Sequence, residues 1–275
     1  ANAQACRISS FLNPAIRVLT QYPTPQPLPL VPPVSSALHM LLNFPVGAYS
    51  EIWFPNGNLG LVHRLVGMLR DSLECLLPIG NEAEPQAENP DVHGKEDTDN
   101  VLPPLAIVLT KIAAEHKEAR EVLKKECLPG ESDRALPVDK GRSLSARLIR
   151  LLTCIRFPKL KETVGTLFFS ICEENAAEFV KEIGFGNGAG FLVMNNIPFP
   201  HPDSLSSSSP ERPYDVVTGE YIDAAKRANA ELAAMTDEEK EREAEKLFVL
   251  FERLNKTGVI TAENPVGKAI REGKV

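Results

Sequence analysis

The chain has 275 residues, of which 43% are apolar and 6% aromatic, with a single tryptophan, Trp53. That much apolar side chain excludes wholesale disorder, and no run approaches the roughly 18 apolar residues of a membrane span. Lys and Arg number 30 against 37 Asp and Glu, a net charge of −7 that is a poor balance for binding nucleic acid, while 17 glycines and 23 prolines break the chain into short elements rather than one rod.

The opening ANAQACRISS shows neither a basic n-region nor an apolar h-region, so no signal peptide is expected, and the chain reads as starting inside a longer protein. The Pro-rich stretch 23–33 (PTPQPLPLVPP) reads as an extended, stiff connector, with an SH3-type ligand as the second reading. Helical periodicity begins at 59–77, where Leu61, Leu65, Met68, Leu69, Leu73 and Leu76 share one face. Residues 81–99 then hold seven acids and one base among Pro and Gly, an acidic loop at about 80–100. Further amphipathic helices follow. One at 104–116 carries Leu105, Val108, Leu109 and Ile112, and one at 143–155 carries Leu144, Leu148, Leu151, Leu152 and Ile155. Another, after Pro158, carries Val164, Leu167, Phe168 and Ile171, and a short one carries Ala176, Phe179, Val180 and Ile183. No segment alternates with period two between hairpin turns, so no sheet is expected. Residues 195–219, with PFPHP, SSSSP and ERP clusters, read as a mobile linker. The last helix opens on a capping box, Thr236 with Glu239. Its first turns are acidic, which suits the positive end of the helix dipole. Its apolar stripe starts only at Ala244, Leu247, Phe248, Phe251 and Leu254, so that half is expected to dock on a partner surface.

A shift of 43 residues superposes Leu105, Val108, Leu109, Thr110 and Ile112 on Leu148, Leu151, Leu152, Thr153 and Ile155, and in the other direction on Val62, Leu65, Val66 and Leu69. That period falls in the range of HEAT and armadillo repeats. The expected fold is therefore all-α, an armadillo/HEAT-like helical superhelix with a C-terminal helical extension. Three regions follow: repeats over 1–195, a flexible Ser/Pro-rich linker with a V-T-G element over 196–234, and a C-terminal helix and tail over 235–275.

The cysteines Cys6, Cys75, Cys127, Cys154 and Cys172 form no C-x-x-C pair and read as reduced core thiols of a cytosolic protein. No histidine stands at metal-ligand spacing from another His or Cys, so neither metal nor cofactor is expected. Gly184, Gly186 and Ala189 fit a loose G-x-G-x-x-A, but the preceding AAEFVKEI is helix-patterned, where dinucleotide binding needs a strand. The better reading is that Gly184 or Gly186 ends one helix at positive φ and that Gly188 and Gly190 permit close packing of the next. Residues 140–161 hold seven bases and no acid. Arg147 and Arg150 stand opposite the leucine face, and upstream Arg120 and Lys124 are spaced i,i+4 with Lys125 beside them. Two readings stay open for these charges: a solvated face, or a positive groove on a solenoid's concave side that takes an acidic or C-terminal segment. RNA binding lacks interleaved aromatics for stacking.

Four stretches together resemble the synembryn family, the resistance-to-inhibitors-of-cholinesterase proteins, and most of all its fungal members. LPPLAIVLTKIAAEHKEAREVLKKECLP (102–129) is similar to the family's repeat ending in an R-x-x-L-K helix. ETVGTLFFSICEENAAEFVKEIGFGNGAGFL (162–192) is similar to its repeat ending in a G-[YF]-G-N-x-A-G-[LF]-L turn. PYDVVTGEY (213–221) resembles its N-P-V-T-G element, with Asp215–Val216 in place of Asn-Pro. MTDEEKEREAEKLFVLFERLNKTGVI (235–260) resembles its C-terminal helix. Coverage is good over about 100–260 and loose before it; the family's N-terminal repeats are unmatched.

The resemblance implies a guanine-nucleotide exchange factor and folding chaperone for heterotrimeric G-protein α subunits, which binds them in the GDP-bound or nucleotide-free form. It implies that the α subunit's C-terminal helix lies in the concave groove against Arg120 and Lys124. It also implies that the segment 236–256 reaches the nucleotide-binding domain. The linker that is acidic and phosphorylated in animal members is Ser-rich here, with Ser208 three residues before Glu211 as the candidate phosphorylation site. The expected location is cytoplasmic, with recruitment to the cell cortex through the α subunit. A general solenoid adaptor without exchange activity is the alternative.

Overall fold

Residues 2–78, 98–200 and 214–223 are described by a computed structural model, with side chains from residue 8 onward. All of them belong to one compact unit, Ala1–Ala224; the remainder, Ala225–Val275, forms a second. The described residues form α1 (Asn2–Gln21), α2 (Val34–Leu41), α3 (Ser50–Trp53), α4 (Gly60–Leu76), α5 (Thr98–Val101), α6 (Pro103–Glu115), α7 (Lys117–Cys127), α8 (Leu144–Leu152), α9 (Pro158–Ile171), α10 (Ala176–Ile183) and α11 (Phe185–Met194). No strand occurs among them, only an isolated bridge between Tyr214 and Tyr221.

Local chemistry sets the boundaries. Pro103 and Pro158 sit in the first turns of α6 and α9, where a missing N–H costs nothing. Ser143 Oγ accepts from the Ala146 N–H at 3.2 Å to start α8. Asn175 Oδ1 accepts from Ala177 and Glu178 to start α10. Gly184, at φ 80°, closes α10.

The helices pack in two rows. One runs α2, α6, α9; the other runs α4, α7, α8, α11; α6 meets α7, and α8 meets α9, across the rows. The α6 helix is the centre of this arrangement, with Leu105, Val108, Leu109 and Ile112 all fully buried. Removing each such side chain from water contributes about 1.5–3 kcal/mol. The helix that covers α6 most broadly is α9.

One expectation needs correction. The leucine stripe of 143–155 predicts a helix one turn longer than the one that forms. The α8 helix stops at Leu152, and Ile155 is 93% exposed, in the short reversal that leads to α9 at Pro158. The 43-residue register therefore holds for Leu148, Leu151 and Leu152 but breaks at Ile155. The Pro-rich connector packs on this core as well, with Leu28 and Leu30 buried alongside α1 and α2.

Candidate functional site

The α7 helix carries the basic pair identified from the sequence. Its N-cap is His116, whose Nδ1 accepts the Ala119 N–H at 3.2 Å and whose ring lies 4.4 Å from that of Phe54. Ala119, Leu123 and Cys127, four apart, face the core. Burial pushes the Cys127 thiol up to about 12. The next row along the helix is Arg120 and Lys124.

The structure brings these two together and adds two carboxylates, Glu173 and Glu121. Lys124 Nζ lies 2.8 Å from Glu173 Oε1 and 3.1 Å from Glu121 Oε1. Arg120 Nη2 lies 3.9 Å from Glu173 Oε2, and its Nη1 donates to the Ala113 carbonyl at 3.1 Å. The Glu173 hydrogen bond raises the Lys124 pKa, and the same bond lowers that of Glu173. Glu173 belongs to the turn between α9 and α10, where it and Glu174 hold positive φ of 57° and 58°. Lys125 is exposed.

The α8 arginines are engaged within the chain. The Arg147 side chain is only 9% exposed, with Nη2 donating to the Leu77 carbonyl at 2.9 Å. It thereby satisfies the C-terminal end of α4. Arg150 Nη1 donates to the carbonyls of Asp139 and Gly141, at 2.7 and 2.8 Å. Burial lowers the pKa of both guanidinium groups. Lys159 Nζ donates to Asn100 at 2.6 Å, and Arg156 stacks over the Phe157 ring at 5.8 Å. Much of the basic tract is thus committed to the fold. Leu247, Phe248, Phe251 and Ser208 lie outside the described residues, as does the acidic tract over 79–97.

Three polar anchors escaped the sequence reading. Lys111 reaches from α6 to the end of α2, where its Nζ donates to Leu42 and Phe44 carbonyls at 2.8 and 2.7 Å. Asp99 receives the Leu160 N–H at 2.8 Å and the Lys159 N–H at 3.3 Å, capping α9 from α5. Arg134, 8% exposed, donates to Glu182 Oε2 at 2.6 Å and to the Gly219 carbonyl at 3.0 Å. No sequence signal marks these three, because most of their acceptors and donors are main-chain atoms far along the chain.

The G-F-G-N run behaves as a helix junction. Gly184 supplies the positive φ. A Cβ on Gly188 would stand 2.8 Å from Phe179 Cε1, so α11 packs closely on α10 there, whereas Gly190 faces open space.

The amino-acid sequence of the chain matches known proteins. A model of the Ric8 family, described as guanine nucleotide exchange factor synembryn, matches residues 2–274. Proteins named chaperone Ric-8A are similar across most of the chain. That of Pongo abelii is 29% identical over 228 residues, 73% of this chain and 41% of the relative. That of Xenopus laevis is 27% identical over 242 residues, 81% of this chain and 41% of the relative. That of Gallus gallus is 32% identical over 170 residues, 58% of this chain and 31% of the relative. The chain spans about two fifths or less of the length of these relatives. With the family matched along nearly its whole length, the chain belongs to the Ric8, or synembryn, family.

Proposed function

We propose that the protein containing this chain is a guanine-nucleotide exchange factor and folding chaperone for heterotrimeric G-protein α subunits. It acts by binding and stabilising their nucleotide-free state, within an armadillo/HEAT-like superhelix. The observation that carries the reading is the α7 face. There Arg120 and Lys124 stand side by side around one carboxylate, Glu173, that occupies the place an incoming carboxylate would take. Lys125 is the exposed member of the same patch. Family membership and relatives named as chaperones supply the class of activity.

Such a factor needs no nucleophile or proton donor of its own. A ligand shifts an equilibrium by its differential affinity for the two states. Holding the α subunit's last helix away from its own guanine pocket favours the open state and speeds GDP loss. Chaperoning follows from the same preference, since a nascent α subunit passes through that open state. Arg147 and Arg150 enter this picture as supports of the α8 edge. Leu247, Phe248 and Phe251 are the apolar contacts we assign to the C-terminal segment, and Ser208 is the phosphorylation site we assign to the linker before the V-T-G element. The protein works in the cytoplasm, reaching the cell cortex through the α subunit. No helix among the described residues is long and apolar enough to cross a membrane.

The test is GDP release from a GDP-loaded α subunit, with and without the protein. Acceleration supports the reading. Release at the spontaneous rate, with the subunit's C-terminal peptide still bound, favours a solenoid adaptor. Lys124→Glu with Lys125→Glu should weaken that peptide roughly three- to ten-fold with unchanged helicity; unaltered affinity removes the α7 face from the site.

A further inference from the structure

The second half of α1 and the turn that joins α3 to α4 leave between them a cavity of about 1000 Å³. That is the upper end of the size range of cavities that hold small molecules. Basic side chains line it from both sides: Arg17 from α1, and His63 and Arg64 from α4. No Asp or Glu belongs to the lining. Of these three bases only His63 has a carboxylate partner among the described residues, Glu126 of α7, whose Oε1 lies 3.7 Å from its Nδ1. Arg17 is exposed and Arg64 is half-buried.

The groups around this space are donors, and several are held in place. Arg64 Nη2 donates to the Tyr22 carbonyl just past the end of α1, so its guanidinium is tied from α4 across to α1. Its Nε is buried and has no partner among the described residues. The same holds for Nε1 of Trp53, a fully buried side chain that forms part of the cavity wall. Unpaired buried donors are rare in folded proteins, and two of them belong to residues of this one lining. Asn58 Oδ1 accepts the Gly60 N–H at 2.8 Å. That bond commits the Asn58 oxygen to the start of α4 and leaves its amide nitrogen as a donor. Gly60 and Leu61 bring the first turn of this 17-residue helix to the same wall, where backbone N–H groups and the helix dipole favour an anion.

Two guanidinium groups, an indole N–H, a side-chain amide and a helix start thus surround one cavity, with no charged acceptor in its lining to oppose them. Guanidinium forks on different helices suit a ligand with more than one anionic group, since each fork can take two oxyanion oxygens. A lone carboxylate would engage one fork and leave most of the volume to water. We propose that the cavity between α1 and α4 binds a small soluble polyphosphate, with Arg17 and Arg64 as its main charge contacts. The site uses none of Arg120, Lys124 and Lys125, and it stands whether or not the exchange reading does.

The experiment titrates the full-length protein by calorimetry with inorganic tripolyphosphate and, separately, with inositol hexakisphosphate. Sulfate at matched ionic strength is the control. Saturable binding is expected for at least one of the two polyphosphates and not for sulfate, and the tighter of the two tells a linear phosphate chain from a ring-borne cluster. Arg17→Glu, at an exposed position, should weaken that binding about ten-fold or more with unchanged helicity. Arg64→Gln should weaken it as well; because Arg64 also ties α4 to α1, Arg17→Glu decides the matter if that variant fails to fold. Lys124→Glu with Lys125→Glu should leave the affinity within about two-fold, as expected of independent sites. Amide exchange over residues 60–64 should slow when the polyphosphate is saturating. Failure of both polyphosphates to bind overturns the proposal. Binding that survives Arg17→Glu, or that is lost in the α7 variant, also overturns it, because the ligand then sits elsewhere. Sulfate binding as tight as either polyphosphate overturns it too, since the surface is then only diffusely basic.

Discussion

Two glycines in the middle of helices should answer the same substitution with opposite signs. Gly165 lies in α9 beneath the ring of Phe191 from α11. A Cβ there would stand 2.3 Å from Phe191 Cδ2 and 2.7 Å from Cε2. The ring is not free to retreat, because Phe169 and Phe179 hold it at centroid distances of 5.9 and 5.4 Å, and Phe191 is buried. Gly67 lies in α4 with nothing within 4 Å of its would-be Cβ. Replacing a mid-helix glycine with alanine gains about 0.5–1 kcal/mol from backbone entropy. At Gly67 that gain should appear undiminished. At Gly165 it is opposed by overpacking, about 1–3 kcal/mol for an added methyl in a filled core. The clash is more than 1 Å inside ordinary contact and the ring is wedged, so the upper part of that range applies. The expected net loss is about 1–2 kcal/mol. Urea unfolding followed by far-UV circular dichroism reads both variants. With a slope of about 2–3 kcal/mol per M, the midpoint should fall by roughly 0.5 M for Gly165→Ala and rise by about 0.3 M for Gly67→Ala. If the Gly165→Ala midpoint equals or exceeds that of Gly67→Ala, the ring-over-glycine packing of α9 against α11 is wrong.

Removing the internal counter-ion should strengthen the partner face. Glu173→Gln is expected to raise affinity for an acidic peptide, measured by fluorescence anisotropy, and weaker binding would show that Glu173 orients the basic pair rather than competing for it. The same variant reports on pH. The Glu173 pKa is lowered by Lys124, so its contribution is present above the ordinary carboxylate value and is lost as pH falls through the lowered one. Wild-type stability should therefore drop more steeply than that of Glu173→Gln on acidification, and parallel curves would contradict the pairing. Asp99→Ala removes the cap that α5 provides for α9, at an expected cost of about 1–2 kcal/mol in chemical denaturation; a cost near zero would mean that water serves α9 equally well. Thiol titration of the native protein should modify Cys154 ahead of Cys127 and Cys172, both of which are buried with raised pKa values. Early labelling of Cys127 would reveal a looser α7.

The helices were legible because their stripes are long and regular. In α4, α6 and α9 nearly every apolar residue placed on the inner face is buried. The reading stopped short where sequence period and tertiary demand diverge, as at Ile155, where a fitting residue falls in a reversal the next helix imposes. The broad pairing of α6 with α9 is equally hidden, since an apolar stripe does not name its partner. At the site, Arg120 and Lys124 were visible as an i,i+4 pair. Glu173 was not, because 49 residues separate it from Lys124 and nothing local marks the pairing. Arg134 is the extreme case. It bonds a carbonyl 85 residues away, and a main-chain carbonyl leaves no trace in side-chain pattern. Arg147 and Arg150 show the converse. Their spacing suggests an outward basic face, but guanidinium groups also serve as long-reach closures for orphan carbonyls.

The turn bearing Glu173 sacrifices backbone comfort for charge placement. Both Glu173 and Glu174 hold a left-handed conformation that glycine or asparagine adopts more readily. A reversal built only for tightness would place glycine there and leave Glu121 as the carboxylate beside Lys124. With glutamate present, the basic pair meets solvent already opposed by two carboxylates, Glu173 and Glu121. Distant polyanions then feel little pull from it, and an attractive field, where one exists, is short in range. Only a guest that forms close bonds in place of the resident carboxylate gains by docking, so recognition at α7 should depend weakly on ionic strength and strongly on shape.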